Sequence, residues 1–456
     1  MDIRAYHLPG DVPAAEPVLE QDGVRALAPV LAPAHARAIC TDLIQAGATL
    51  RGMTDARLSG AIAEAARRLL APTQAGPLVE AIAAFTGYSP AMSRRVLDRM
   101  AGDWTVSATT RLMEAEFGAA DALLHFSPRP GAGRSRPMPH RLAFHVFAGN
   151  VPGVSVTSLI RSLMVRTPVL GKSAAGEPVL AAAFARALGE VDPEVGTGVA
   201  VTWWPGGDTD IEAAVLDSCD LVVHYGGAEA IRSLRRRATP GMPFLDHGPR
   251  LSFAVAGPDL EAADLPRLAA DVAAAVAVFD QQGCVSPQML YVIGSPEHAR
   301  RVAGAIATEL EKLADSLPRG RLDVGEVAAI RELRSTAEFR AIAGEDVELW
   351  VSQGMAWTVI YDGDPAFSGS CLNRTLFVKC LASLDLLGPI TRPFRHLLQT
   401  VGIAGFSDAD HTALRLAGMG ATRVTPIATM PWPPASWHHD GRGPLVELVR
   451  WLDVEI

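Results

Sequence analysis

The chain has few cysteines and very few lysines, and the first shortage limits which sites it can contain. Five cysteines occur in 456 residues, and their spacings match no CxxC pattern of zinc or redox sites, so we expect no metal centre. A small, odd number of cysteines is typical of a reducing compartment, and the N-terminus shows no apolar segment of the signal-peptide kind. These features predict a cytoplasmic protein.

Long apolar runs and long blocks of basic residues are also missing. No run reaches the roughly 18–20 apolar residues of a membrane-spanning helix, so we expect no membrane span. The formal net charge is −9, which argues against a nucleic-acid partner. Hydrophobic residues make up 49% of the chain, and its length is typical of two or three domains with sizeable cores.

The order of predicted elements indicates an α/β protein. Residues 1–35 are rich in proline and alanine and predict an irregular arm, residues 36–124 have helical periodicity, and Ser127 to Pro139 is expected to be a connector. From Arg141 to Arg237 strands and helices alternate, which predicts a parallel, Rossmann-like sheet. A second mixed region follows, and Leu445 to Leu452 is predicted to be a final short helix. The expected domain boundaries are 1–139, 140–257, 258–425 and 426–456.

Glycine-containing loops follow the strands of this predicted sheet. Because the carboxyl ends of parallel strands share one edge, these loops should lie together where α/β sheets bind ligands. Glycines also form ordinary turns, and no GxGxxG fingerprint is present. Lys172, one of only three lysines, suggests a contact with phosphate or ribose, with chance retention as the alternative. The loops are 148–153, 171–173, 205–208 and 225–227.

Cys284 lies in a glycine-marked turn between a predicted helix, Leu265 to Val278, and a predicted strand, Met289 to Ile293. A cysteine in such a turn can be exposed while its backbone is held from both sides, which suits a nucleophilic thiolate. A half-buried structural cysteine is the alternative. His247, in a predicted loop, is a candidate general base or a solvated loop histidine.

The order of these short motifs resembles the aldehyde dehydrogenase superfamily. More narrowly, the chain resembles the acyl-CoA reductase family that includes the bioluminescence fatty-acid reductase subunit. Leu397 to Ile403 and His439-Asp440-Gly441 add to the narrower likeness, which covers roughly residues 140–456. The motifs that carry the wider likeness are Gly149-Asn150-Val151-Pro152, Lys172, Gly226-Gly227, His247-Gly248-Pro249 and Gln282-Gly283-Cys284.

The resemblance implies an aldehyde dehydrogenase-like fold, in which residues 140–257 form a Rossmann-like domain for a nicotinamide dinucleotide. Residues 258–425 would form a second α/β domain that presents Cys284 as the nucleophile. Asn150 and the backbone N–H of Cys284 would form an oxyanion hole. Ala175 replaces a glutamate that binds the ribose 2′-hydroxyl in many NAD-dependent relatives, which favours NADPH over NADH. The implied cofactor contacts are Lys172, Ser173, Gly149, Gly207, Gly226 and Gly227.

One departure from the superfamily bears on the reaction. The glutamate that activates water in hydrolytic aldehyde dehydrogenases has no counterpart in Leu245 to Pro249. The resemblance therefore implies that the acyl group is exchanged with a thiol carrier and not with water. His247 would act as acid or base, or Asp246 if the alignment shifts by one residue.

The predicted function is NADPH-dependent reduction of a fatty acyl thioester, from acyl-CoA or an acyl carrier, to the aldehyde through an acyl-cysteine. Three alternatives stay open. In these alternatives the chain reduces a short acyl-CoA or an acyl phosphate, hydrolyses thioesters with Cys284, His247 and Asp246, or binds a nucleotide without catalysis. The further expected partners are a second copy of the chain or a protein that delivers acyl groups.

Overall fold

A computed structural model describes residues 1–10, 12–129, 131 and 133–456 of the chain. The described chain divides into two compact units. No helix within the described residues is both long enough and apolar enough to cross a membrane. Unit 1 comprises Met1–Thr86, Ser93–Gly248 and Pro434–Ile456, and unit 2 comprises Gly87–Met92 and Pro249–Pro433.

Unit 1 begins with a small sheet in which β1 (Asp2–Arg4), β2 (Ala15–Gln21) and β3 (Val24–Pro29) have the order β1-β3-β2. β2 and β3 form an antiparallel hairpin whose turn residues, Asp22 and Gly23, have positive φ angles of 48° and 75°. An Asp-Gly pair favours such a turn because both positions need a left-handed backbone. The prediction of an irregular arm was therefore wrong, because the surrounding prolines and alanines masked this hairpin signal.

The helical region that follows is confirmed. Thr54 caps α2, because its side chain accepts a hydrogen bond from the backbone N–H of Arg57 at 3.3 Å. Ser89 accepts a corresponding bond from Met92 at the start of α4. The helices are α1 (Pro33–Leu50), α2 (Asp55–Leu69), α3 (Pro72–Thr86), α4 (Pro90–Ala101) and α5 (Val106–Phe117), and two strands follow them, β4 (Ser127–Pro128) and β5 (Arg134–Pro139).

The predicted parallel sheet forms the centre of unit 1, with the strand order β10-β9-β6-β7-β8. All of its neighbouring strands are parallel, and β6 to β9 consist almost wholly of buried residues, as expected for a sheet covered on both faces. Its elements are β6 (Ala143–Val146), α6 (Val154–Met164), β7 (Val169–Lys172), α7 (Leu180–Val191), α8 (Pro193–Gly196), β8 (Val199–Thr202), α9 (Thr209–Leu216), β9 (Leu221–Tyr225), α10 (Ala228–Arg237) and β10 (Phe244–His247).

Unit 2 is built on a second sheet, with the strand order β13-β14-β15-β12-β11-β16-β17. β13 is antiparallel to β14, and the other neighbouring strands are parallel. Its elements are β11 (Leu251–Ala256), α11 (Leu265–Ala277), β12 (Met289–Ile293), α12 (Pro296–Ser316), α13 (Val324–Ile342), β13 (Val347–Val351), β14 (Thr358–Asp362), β15 (Thr375–Leu381), α14 (Leu387–Thr391), β16 (Leu398–Ala404), α15 (Ala409–Met419) and β17 (Arg423–Pro426).

The last strand, β18 (Val449–Val454), returns to unit 1 and pairs antiparallel with β5. Two predictions were therefore wrong. Ser127 to Pro139 is not only a connector, because β5 lies between β4 and β18 in a sheet. Leu445 to Leu452 is not one continuous helix, because only Val446–Leu448 form a short 3₁₀ turn and Val449 to Leu452 extend along β5. The two strands lie far apart in sequence, so no local pattern could reveal their pairing.

Candidate active site

The loops that were expected to share one edge follow consecutive strands of the parallel sheet in unit 1. Gly149 and Asn150 follow β6, Ser173 follows β7, Gly207 follows β8, and Gly226 with Gly227 follows β9. The structure thus places the predicted cofactor residues at the carboxyl ends of the strands, where such sheets bind ligands. Their contacts with a cofactor stay predictions.

Two of these glycines have a physical reason to be glycine. A Cβ on Gly149 would lie 2.9 Å from the backbone of Gly176, so a side chain there would push two loops apart. Gly207 has a φ of +85°, which L-residues with side chains rarely adopt. Both requirements maintain the shape of the strand-end edge.

Lys172 is the last residue of β7 and its side chain is buried. Burial lowers its pKa from the ordinary value, while the carboxylate of Glu212 acts in the opposite direction. Its ammonium lies 5.4 Å from the centre of the Trp204 ring, within the range of a cation–π contact. A buried ammonium beside an aromatic face suits recognition of a phosphate or a sugar hydroxyl.

Several buried polar atoms around Lys172 lack a hydrogen-bond partner among the described residues. Most buried polar atoms in proteins are paired, so a cluster without partners favours a polar ligand. Thr202 lies opposite Lys172 in the β7–β8 register. Burial lowers the pKa of His224 to about 4, and the charge of Lys172 adds to this effect. These groups fit the hydroxyl and phosphate oxygens of a nucleotide. The atoms are Ser173 Oγ, Thr202 Oγ1, Trp204 Nε1 and His224 Nδ1.

Cys284 lies in unit 2, half-buried, in the turn that connects α11 to β12. Its backbone carbonyl accepts a hydrogen bond of 2.6 Å from the hydroxyl of Ser252 on β11. That hydroxyl in turn accepts a bond from the backbone N–H of Thr400 on β16 at 3.2 Å. The cysteine is therefore attached to two strands of the sheet through a single serine.

The segment that precedes Cys284 has an unusual backbone. Phe279–Gln281 have positive φ angles between 46° and 67°. A second left-handed turn lies directly before β15, where Leu372–Arg374 have φ angles between 55° and 60°. Each non-glycine residue in this region costs roughly 1–3 kcal/mol, so the surrounding contacts must compensate. One of them joins the two turns directly, because Arg374 Nε donates to Asp280 Oδ1 at 2.7 Å in a buried ion pair.

Gln281 makes a second connection between these turns. Its side-chain amide donates to the carbonyls of Pro287, at 2.7 Å, and Thr375, at 3.0 Å. Its Oε1 accepts from the N–H of Thr375 at 2.9 Å. Because Pro287 lies beyond Cys284 in sequence, this side chain closes the loop that carries the cysteine and restricts its movement.

Arg423 is a cation that interacts electrostatically with Cys284. It begins β17, opposite Thr400 in the parallel register, and its guanidinium donates to the carbonyls of Met430 and Thr429, both at 2.8 Å. Burial lowers the pKa of Arg423 to about 10, and an ionised Cys284 raises it. Since a Coulomb interaction acts equally on both partners, the guanidinium favours the thiolate form of Cys284.

His247 does not lie in a loop, as the sequence had suggested, but is the last residue of β10, opposite Tyr225 of β9. Its side chain is 11% exposed. Asp246, the alternative acid or base, instead accepts a hydrogen bond from Arg235 at 2.7 Å. Neighbouring residues of a strand point to opposite faces, so an Asp246–His247 pair for hydrolysis is not formed. The carboxylate beside His247 is that of Asp440, with Oδ2 3.1 Å from Nδ1.

Sequence reasoning selected Cys284 and His247 but missed two residues that interact with each of them. In unit 2, Ser252 and Arg423 interact with Cys284. In unit 1, His439 and Asp440 contact His247. The His439-Asp440-Gly441 motif was noted for its resemblance alone, without a role. Asn150 is exposed and belongs to unit 1, whereas Cys284 belongs to unit 2. Its function as an oxyanion donor stays a prediction.

Comparisons with known proteins confirm the predicted fold. The structure resembles that of the NADP-dependent glyceraldehyde-3-phosphate dehydrogenase from Bacillus halodurans C-125, complexed with NADP, with a TM-score of 0.76. The two chains are 14% identical, and the likeness covers 97% of this chain and 100% of the dehydrogenase. At such low identity the match shows a common aldehyde dehydrogenase-like fold.

Sequence relatives confirm the narrower resemblance. The chain is 26% identical over 382 residues to the long-chain acyl-protein thioester reductase of Aliivibrio fischeri, covering 81% of this chain and 76% of the relative. It is 24% identical over 380 residues to the same enzyme of Photobacterium phosphoreum, covering 81% and 74%. A model of the acyl-CoA reductase (LuxC) family matches residues 58–451. The chain is therefore an oxidoreductase that belongs to the LuxC family of acyl-CoA reductases.

Proposed function

We propose that the chain reduces a fatty acyl thioester to the aldehyde with NADPH, through a covalent thioester on Cys284. The observation that carries the proposal is the way the chain holds this cysteine. Two left-handed turns and the Ser252 hydroxyl restrain its backbone, and the half-buried Arg423 favours its thiolate. A merely structural cysteine needs neither a restrained backbone nor a nearby cation.

In the first half of the proposed reaction, the Cys284 thiol gives its proton to His247 and the sulfur attacks the thioester carbonyl carbon. A new C–S bond forms, and the carbonyl electron pair moves onto oxygen. Asn150 and the backbone N–H of Cys284 stabilise this oxyanion by hydrogen bonds. When the electron pair returns, the C–S bond to the carrier breaks, and the carrier thiolate takes the proton from His247.

The second half requires a reduced nicotinamide, which supplies a hydride to the acyl carbon when bound. The strand-end edge of unit 1 would hold it, with Lys172 and Ser173 at the adenosine ribose and Gly149, Gly207, Gly226 and Gly227 around the remainder. Trp204 and His224 add polar groups to this set. Ala175 presents no carboxylate that would repel a 2′-phosphate, which supports NADPH over NADH. After reduction the oxyanion electron pair returns, the C–S bond breaks, and the aldehyde leaves Cys284 as a thiolate.

The acyl carrier is the less specific part of the proposal. The relatives in Aliivibrio fischeri and Photobacterium phosphoreum are long-chain acyl-protein thioester reductases, which supports a long acyl chain delivered by a protein or by coenzyme A. Short acyl-CoAs and acyl phosphates are the competing substrates. A chain-length series of acyl-CoAs, assayed beside an acyl phosphate, separates these possibilities by their kcat/KM values.

The test follows NADPH oxidation by absorbance after addition of an acyl-CoA. Wild-type protein is expected to oxidise NADPH only with the acyl-CoA present, and mass spectrometry should find the acyl group on the peptide that contains Cys284. Cys284→Ala is expected to abolish both signals. Cys380→Ala, at another half-buried cysteine of unit 2, is the control and should retain them. A full rate in Cys284→Ala would refute the covalent mechanism.

A further inference from the structure

The ring of His247 is enclosed by a stack of rings within unit 1. It lies between Tyr225 and His439, with centroid distances of 4.6 Å and 4.3 Å and interplanar angles of 16° and 18°. Trp437 extends the stack, 4.5 Å from His439. Because two rings pack against His247 in nearly parallel planes, its imidazole cannot tilt without disturbing its neighbours.

Asp440 determines the direction of the His247 ring within that plane. Its Oδ2 lies 3.1 Å from Nδ1 of His247, and its side chain is only 4% exposed. A buried carboxylate needs a hydrogen-bond donor, and the hydrogen bond at one ring nitrogen decides which nitrogen carries the proton. We therefore expect the proton of neutral His247 on Nδ1 and a free lone pair on Nε2.

The same residues raise the question of a metal site. Donor atoms of His247, His439 and Asp440 all lie within 4.8 Å of one another. However, an imidazole binds a metal along a lone pair that lies in the ring plane, and zinc requires N–metal distances of about 2.0–2.1 Å. The two imidazole planes are nearly parallel, with centroids 4.3 Å apart, so their lone pairs cannot converge on one ion.

We propose that Asp440 is a positioning residue for the reaction at Cys284, acting through His247. It keeps the proton on Nδ1, so that Nε2 accepts the thiol proton, and its charge stabilises the imidazolium that results. The proton then leaves Nε2 for the departing carrier thiolate, as in the steps proposed above. This inference rests on the proposed function of Cys284. It assigns a role to a carboxylate in a chain that lacks the water-activating glutamate of hydrolytic aldehyde dehydrogenases.

Asp440→Asn tests this role, because it retains the size of the side chain and removes its charge. General acid–base catalysis contributes about 10²–10⁴-fold, so we expect kcat to fall about 100-fold or more while KM stays within about twofold. Asp453→Asn is the matched control in the same terminal segment. Its exposed carboxylate pairs with Arg129 on the surface, and its kcat should equal that of the wild type.

A second measurement reports the proton directly. In protein with ¹⁵N-labelled histidine, assigned with His247→Gln, the wild-type spectrum should show Nδ1 of His247 protonated. Asp440→Asn should redistribute the proton between the two nitrogens, which a merely structural role would not do. His439→Phe keeps a ring in the stack and should preserve the Nδ1 proton. If Asp440→Asn folds poorly, the kcat of Asp440→Ala is measured with and without formate instead. We expect formate to restore part of the lost kcat.

The outcomes separate the two proposals. If wild-type protein forms no acyl group on Cys284, the proposed function itself fails. If it does, and Asp440→Asn keeps both the wild-type kcat and the Nδ1 proton, only the positioning role fails. Failure of formate to restore the kcat of Asp440→Ala would likewise count against the positioning role. Stoichiometric zinc in wild-type protein that disappears with Asp440→Asn or His439→Phe would also overturn it and would assign a metal site.

Discussion

At the residue scale, Arg423 is a cation that interacts electrostatically with Cys284. A thiolate is the nucleophilic form of cysteine, and a nearby opposite charge lowers the pKa of a thiol. Two backbone carbonyls, of Thr429 and Met430, hold the guanidinium in place. Its position is thus set by the backbone, independently of any bound substrate.

Arg423→Met should make Cys284 less reactive at neutral pH. Because the thiolate loses a counter-charge, we expect the pH midpoint of Cys284 alkylation by iodoacetamide to rise by about one unit. Below that midpoint, alkylation should slow about tenfold. The measurement is the pH dependence of carbamidomethylation of the Cys284 peptide by mass spectrometry, which requires neither cofactor nor substrate.

Two further variants make this experiment specific. Arg423→Lys keeps the charge but not the paired carbonyl contacts, so its midpoint should lie between those of the wild type and Arg423→Met. Arg331→Met removes an exposed cation of α13 and should leave the midpoint unchanged. An unchanged midpoint in Arg423→Met would show that the guanidinium does not govern ionisation of the thiol.

The sequence alone could not single out Arg423. It is one of 41 basic residues, and its relation to Cys284 arises from the pairing of β11, β16 and β17. Cys284 itself was predictable, because the glycine-marked turn and the flanking helix and strand are local signals. Residues that modify its chemistry come from other strands, and only the strand order brings them near.

At the scale of elements, the two left-handed turns at Phe279–Gln281 and Leu372–Arg374 are the feature most sensitive to substitution. Their backbone conformation is unfavourable by itself and persists because buried side chains make it the best available arrangement. Gln281 contributes most hydrogen bonds to this arrangement, since it uses both amide hydrogens and its oxygen. A substitution that keeps the size of this side chain but removes its two N–H donors should therefore strongly destabilise unit 2.

Gln281→Glu should destabilise unit 2 without changing the size of the side chain. A carboxylate would face the carbonyl oxygens of Pro287 and Thr375, leaving buried acceptors without donors, and we expect a loss of about 2–5 kcal/mol in the free energy of unfolding. Urea denaturation measures it. Gln353→Glu, at an exposed position of unit 2, should cost no more than about 0.5 kcal/mol. Equal stabilities of the two variants would contradict the structural role of Gln281.

Elements were predictable where their signals are local. β12 spans Met289–Ile293, as the apolar pattern predicts. The hairpin of β2 and β3 carried a local Asp-Gly signal that the surrounding composition concealed. β18 carried no such signal, because its apolar residues Trp451 and Leu452 are half exposed and its partner is β5.

At the scale of the whole molecule, unit 1 is assembled from three separate stretches of the chain. The last of these adds β18 to β5 and places Glu116 of α5 against the backbone N–H groups of Leu445 and Val446, both at 3.1 Å. The final residues are thus part of the unit's structure and not an appendage.

Ending the chain at Leu448 should weaken unit 1. Removal of β18 leaves the ladder groups of β5 without partners and creates a new open edge, so we expect a loss of a few kcal/mol, about 1 per net hydrogen bond, and a tendency to aggregate. Urea denaturation and size-exclusion chromatography measure the two effects. Removal of Glu455 and Ile456 alone, beyond β18, is the control and should change neither. Unaltered stability after the longer truncation would show that β18 is dispensable.

The discontinuity of unit 1 also sets an order of events during synthesis. His247 and Asp440 are separated by 193 residues, and a ribosome adds about 5–20 residues per second, so the carboxylate appears roughly 10–40 s after the histidine. Cys284 and most of unit 2 are translated in that interval. A nascent chain therefore possesses its nucleophile before its acid–base pair is complete, because Asp440 is added to the chain only after unit 2 has been synthesised.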